Sequence, residues 1–207
     1  MSGDKRREQI LQTAFDLFSH KGFSGTTTKD IARAAGVSEA MVFKHFSSKE
    51  ELYGELLDAK KCSDTFHRYP WEGNVDLQAA IDAKDDFGVF YHFAFQALEN
   101  QQTDIPFMRM IFYAALEEHE LAEKFFGEFV GEVYRFLGAY ITKRQKDGAF
   151  RKINPRIMVR AFVGMLIHHS INNILWDKKR RLLDISNKEA ANHFAEIILH
   201  GTTEQAG

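Results

Sequence analysis

Residues 27–49 read TTKDIARAAGVSEAMVFKHFSSK, and this stretch holds a short helix, a glycine turn, a second short helix and the start of a third. Thr27 and Asp30 have the spacing of a capping box, in which a hydroxyl and a carboxylate each satisfy a backbone N–H left without a partner at a helix start. The first helix therefore begins at Thr28. Ile31, Ala32 and Ala35 share one of its faces, and Gly36 supplies the left-handed conformation that ends it. Val37 fills the corner, Ser38 caps the next helix, and 39–45 spans about two turns, a length that stands only when packed on neighbours. Ser48 and Glu51 repeat the capping box and open a longer helix through Leu52, Tyr53 and Leu56.

Two short helices joined by a glycine turn form a helix-turn-helix, whose second helix enters the major groove of DNA. Its outward side chains then read bases: Ser38, Glu39, Lys44 and His45 as polar groups, Ala40 and Met41 as apolar ones. Thr27, Thr28 and Lys49 flank the element where helix N-termini and a cation suit phosphates. Each of these residues, taken singly, also serves as an ordinary cap or solvated charge; their joint spacing carries the reading.

The pattern resembles the N-terminal signature of the tetracycline repressor (TetR) family of bacterial transcription regulators. It is carried by Thr26-Thr27, Ile31-Ala32, Ala35-Gly36-Val37-Ser38, His45-Phe46, Lys49-Glu50 and Leu52, after a first helix ending in Lys21-Gly22-Phe23. Two positions depart from it: Ala40 replaces a common glycine, and Phe43 a common tyrosine whose hydroxyl suits a phosphate. The resemblance implies an all-α fold, with an N-terminal three-helix DNA-binding domain over 1–50 and a linking helix running to about residue 62. A larger effector-binding and dimerisation domain over 63–207 follows, for about nine helices in all. It also implies a homodimer that binds double-stranded operator DNA and answers to a small molecule. The sequence leaves open repression or activation, and an architectural DNA-binding protein without effector.

Composition agrees with an all-helical regulator. Three prolines, no alternating apolar runs and a single cysteine, Cys62, point away from a β-fold and a disulfide framework and toward a reducing cytoplasm. No apolar run is long enough to span a bilayer, so no membrane partner is expected. The formal net charge is −2, but residues 1–50 hold eight Lys or Arg against six Asp or Glu, with Lys5, Arg6 and Arg7 clustered ahead of the first helix. So slight an excess predicts weak non-specific DNA binding and a need for both half-sites of a dimer.

Downstream of a Pro-Trp-Glu-Gly break at 70–73, apolar spacing predicts helices over 77–100, 106–118, 121–146, 155–176 and 188–200. The helix over 155–176 is apolar nearly all round, which in so small a chain is met most simply by a partner copy. It and 188–200 are therefore expected to form a four-helix bundle with their mates. Nineteen phenylalanines suit an adaptable apolar pocket, although each serves a packed core equally well. Its expected lining is Phe90, Tyr91, Met108, Phe112, Tyr113, Tyr134, Met165, His168 and Asn172, and His168 with His169 also suits the dimer interface. No metal-ligand spacing, glycine-rich phosphate loop or nucleophile elbow occurs, so neither cofactor, metal nor catalytic residue is expected.

Overall fold

The computed structural model describes residues 3–61 and 69–202, and only the backbone of 57–61, Leu121 and Thr202. Cys62 and the expected domain junction through residue 63 lie outside the described residues. Among the described residues eleven α-helices follow in order: α1 (Gly3–Lys21), α2 (Thr28–Ala35), α3 (Glu39–His45), α4 (Lys49–Lys61), α5 (Val75–Ala83), α6 (Asp86–Thr103), α7 (Ile105–Leu116), α8 (Glu120–Phe125), α9 (Gly131–Lys146), α10 (Pro155–Ile171) and α11 (Asn187–Thr202). Two π-helical turns, Phe126–Val130 and Asn172–Trp176, precede α9 and follow α10.

There are more helices than the nine or so expected because two anticipated helices are interrupted. The stretch 77–100 breaks between α5 and α6, where Lys84 takes a left-handed conformation at φ 56°. Asp85 then caps α6 by accepting from the Gly88 N–H at 3.0 Å. Gly88 is required at this corner, since a Cβ there would meet the Ala80 Cβ at 2.9 Å. The stretch 121–146 is divided by its π-helical turn into α8 and α9.

The chain packs as two units. The first contains α1–α4 together with α7 and α8, within Met1–His67 and Asp104–Gly127. Its core takes Ile10, Ala14, Phe15 and Phe18 from α1, Ile31, Ala32 and Ala35 from α2, Val42 from α3, then Phe46, and Leu52, Tyr53 and Leu56 from α4. Phe18 meets Tyr53 edge-on at 4.7 Å between centroids. Phe107, Met110, Ile111 and Ala114 of α7 complete the same core. Polar bonds fix that packing: Arg109 Nε donates to Ser19 O at 3.0 Å, the Tyr113 hydroxyl to His20 O at 3.1 Å, and Glu117 accepts from the backbone N–H groups of Phe23 and Ser24. Thus α7, although it follows residue 63, belongs by packing with the helix-turn-helix. Its apolar face matches the one α1 leaves open, and nothing local in the sequence says so.

The second unit holds α5, α6, α9, α10 and α11. Phe90, Phe93, Leu137, Ile141, Phe150, Val159, Phe162 and Leu166 form its centre, and Ala190, Ala191 and Ala195 let α11 lie close against it. Asp86, at the start of α6, holds Arg144 of α9 in a two-pronged pair at 2.7 and 2.9 Å and accepts the Tyr140 hydroxyl at 2.6 Å. Burial, then that carboxylate, pushes the Tyr140 hydroxyl well above its ordinary pKa. Asn187 opens α11 with its amide donating to Glu99 at 2.7 Å and Gln102 at 2.6 Å.

Candidate nucleic-acid interface

The helix-turn-helix is held by its caps. The Thr27 hydroxyl accepts from the Asp30 N–H at 3.1 Å and donates to the Asp30 carboxylate at 2.6 Å, while the Thr27 N–H returns to that carboxylate at 3.3 Å. These bonds hold the Asp30 carboxyl below its ordinary pKa. Gly36 closes α2 at φ 66°, its N–H turned to the carbonyls of Ala32 and Arg33. The Ser38 hydroxyl caps α3 at the Met41 N–H, 3.2 Å away. The second expected box forms with a shift. Ser48 caps the Glu51 N–H at 3.1 Å, but the Glu51 carboxylate reaches back to the N–H and hydroxyl of Ser47.

On α3, Val42 is buried, as is Phe46 just beyond it, while Glu39, Ala40, Phe43 and Lys44 face out. Met41 and His45 are half-buried at the margins. Val42 and Phe46 take the inward face, and the Phe43 ring, 49% exposed, remains on the outer surface. Lys44 has no polar partner among the described residues. An exposed ring, a free ammonium and a carboxylate on one short helix make a surface that can touch base edges and phosphates alike.

Besides Thr27 in its capping box, four candidates are engaged within the protein: Thr28, Ser38, Glu39 and Lys49. The Thr28 hydroxyl donates to the Glu39 carboxylate, tying the start of α2 to the start of α3. Lys49, expected to meet phosphate, donates from Nζ to Phe23 O at 3.0 Å and Thr26 O at 3.1 Å, and its charge lies 3.9 Å from the Phe23 ring centre. It therefore clasps the α1–α2 loop. Ser38 is spent as a cap. Arg7, ahead of the element, pairs with Glu55 and sits 4.9 Å over the Phe46 ring, which anchors it to the domain. The loop supports from Arg109, Tyr113 and Glu117 were not anticipated, because more than ninety positions separate Glu117 from the loop it holds.

The nine residues expected to line a pocket are placed in several settings. Met108, Phe112 and Tyr113 lie on α7 in the first unit. In the second, Phe90 is fully buried and packs edge-on against Phe162 at 4.9 Å, leaving it no free face. Tyr91 stacks with Phe87 and Phe95, Met165 is half-buried, and Tyr134 borders a surface cleft. His168 and Asn172 pair with each other near the end of α10, the Asn172 amide donating to His168 O at 2.8 Å. Sequence spacing does not announce a four-ring stack: Tyr69 and Trp71 stack at 4.6 Å between Phe129, 5.0 Å from Tyr69, and Phe136, 4.2 Å from Trp71. As sequence, the Tyr-Pro-Trp run signals only a break. Among the described residues no group of His, Cys, Asp or Glu is placed to hold a metal, and no helix is long and apolar enough to cross a membrane.

Residues 10–56 match the model for bacterial regulatory proteins of the tetR family. Over 207 aligned residues, 98% of this chain and 93% of the relative, the chain is 40% identical to the HTH-type transcriptional repressor KstR2 of Mycolicibacterium smegmatis. The chain belongs to the TetR family. It is a DNA-binding transcriptional regulator, and regulators of this family bind operator DNA as dimers and are not enzymes. Solved TetR-family structures share the fold along nearly the whole chain. NalD of Pseudomonas aeruginosa, the secondary repressor of the MexAB-OprM multidrug efflux pump, superposes with a TM-score of 0.69 at 23% identity, covering 99% of this chain and 100% of its own. The ketosteroid transcriptional regulator KstR2 of Mycobacterium tuberculosis gives 0.59 at 19% identity, covering 97% and 96%. In this TetR protein the matched residues 10–56 contain α3, with Ala40 and Phe43 on its exposed side.

Proposed function

We propose that the protein is a cytoplasmic homodimeric repressor, released from a pseudo-palindromic operator when a small apolar or aromatic molecule binds its second unit. The observation that carries the pairing is an unpartnered stripe on the last two helices. Ile157, Ala161, Gly164 and His168 of α10 are exposed at helical spacing, and Leu175 continues beyond them. Ile197 and His193 are exposed on α11, with Ile157 61% and Ile197 58% accessible. Small residues flanked by large apolar ones admit a second helix at close range, and a two-fold copy covers the same stripe on itself. Paired α3 helices then enter successive major grooves about 34–36 Å apart.

Repression is supported by the relatives described as repressors, KstR2 and NalD. An apolar, ring-bearing effector is supported by the aromatic content of the second unit and by the ketosteroid regulator among the fold relatives. Couplings of about 1–3 kcal/mol, common for such switches, would weaken operator binding about 5- to 150-fold. The test is selection of bound DNA from a random pool, followed by a compound screen against the selected site and sedimentation of the wild type and Ile197→Glu. Paired inverted half-sites, a dimer at micromolar concentration that Ile197→Glu dissociates, and at least one releasing compound are expected. A wild-type monomer, or a selected site without inverted symmetry, refutes the dimeric reading.

A further inference from the structure

The second unit carries a cleft between α9 and α10 of about 550 Å³, bordered by Gly131, Tyr134, Arg135, Arg156, Ile157 and Arg160. Three guanidinium groups border this one space. Glu132 answers one of them, pairing with Arg135 a turn away. Arg156 and Arg160 have no carboxylate partner among the described residues. Among the described residues the one side-chain hydrogen bond of either runs from Arg160 Nε to the Tyr134 hydroxyl at 3.3 Å, which turns Arg160 toward the cleft and leaves its terminal nitrogens to spare.

This placement works against the helix that carries it. Arg156 and Arg160 are four positions apart, so their like charges repel along one face of α10. Both stand in the first two turns, near the positive end of the helix dipole, where cations are disfavoured. Two unpaired cations on the wrong end of a helix are relieved by an anion. Guanidinium forks take carboxylate or phosphate oxygens in two parallel hydrogen bonds, and two free forks beside a hydroxyl match a head that carries two negative charges.

We infer that the α9–α10 cleft is a binding site for a small organic molecule with a doubly charged oxyanion head, a phosphate monoester or a dicarboxylate. For its consequence at the operator the inference rests on the ligand-responsive reading; the binding itself does not.

Calorimetric titration of the full-length protein in chloride buffer at fixed ionic strength tests it, with inorganic phosphate and succinate as probes. Saturable binding of at least one probe, one per chain, is expected. Phosphate alone assigns a phosphate head, and succinate alone a dicarboxylate. The double variant Arg156→Gln/Arg160→Gln should weaken that binding about tenfold or more at unchanged helical content. Arg156→Lys/Arg160→Lys, which keeps the charge and loses the forks, should fall between. Binding of neither probe, or equal binding by the glutamine variant, overturns the inference, as does equal binding of the lysine variant and wild type for the fork geometry. Operator affinity without added anion is measured in parallel and should not change in either variant, so failure of the anion site and failure of the regulator reading appear in different readouts.

Discussion

Replacing Lys49 with alanine separates two roles that the same position can play. In the structure its ammonium is committed to Phe23 O and Thr26 O at 3.0 and 3.1 Å and lies 3.9 Å from the Phe23 ring centre. Each bond from a half-exposed charged donor contributes about 1 kcal/mol. The ring contact adds about 0.5–1 kcal/mol. Lys49→Ala should therefore destabilise the first unit by about 2–3 kcal/mol, which for a chain of this size lowers the melting temperature by about 4–12 °C. Operator affinity should fall too, because the loosened loop is the one that presents Thr27 and the start of α2. The slope of log affinity against log salt should not change. A phosphate-binding lysine behaves in the opposite way, each lost phosphate contact lowering that slope by about 0.9 with little effect on stability. Thermal denaturation and fluorescence anisotropy over a series of salt concentrations measure both quantities on one preparation. An unchanged melting temperature together with a reduced slope would refute the clasp.

Other perturbations address the remaining elements. Asp86→Ala removes the carboxylate shared by Arg144 and Tyr140; the Arg144 side chain is 11% exposed, so urea denaturation should show a loss of about 3 kcal/mol, and a loss under about 1 kcal/mol would mean that water replaces the pair. Phe43→Tyr adds a hydroxyl to a ring already 49% exposed on α3 and should tighten operator binding about fivefold by one neutral hydrogen bond; no gain would place the ring away from the backbone. Lys44→Ala should alter base preference in a selection from random DNA, and an unaltered preference makes Lys44 a phosphate contact. For Asp30, whose carboxyl lies below its ordinary pKa because of the Thr27 bonds, the unfolded chain binds the proton first as pH falls. The cap's contribution is thus complete above about pH 4 and is lost as pH drops through the lower folded value. Asp30→Asn should flatten the acid limb of stability against pH relative to wild type; superposable acid limbs would show that the carboxylate is not held.

The DNA-reading element was legible almost to the residue, since α2 at Thr28–Ala35 and α3 at Glu39–His45 begin and end where Thr27, Gly36 and Ser38 dictate. Caps are local chemistry, and local chemistry is written in adjacent letters. The break at Lys84 was not legible, because a lysine in a left-handed conformation carries no sign of it; the evidence lies in Asp85 capping forward and Gly88 admitting Ala80. The assignment of α7 to the first unit, and of Lys49 to a pair of carbonyls, depends on which surfaces meet across the fold. No spacing within either segment records that. Phe90 and Tyr134, both expected to line a pocket, have equally plausible patterns, yet one is enclosed in the core and the other borders a cleft.

The bond between Thr28 and Glu39 also bears on how the regulator finds its target. A carboxylate at the start of the reading helix repels any phosphate it meets, and the hydroxyl it holds is withdrawn from the backbone until something better is offered to Glu39. A cytosine amino group in the major groove is such an offer, and bulk DNA in the wrong register is not. If α3 meets DNA as proposed, this pair and the chain's net charge of −2 both disfavour binding to DNA in the wrong register.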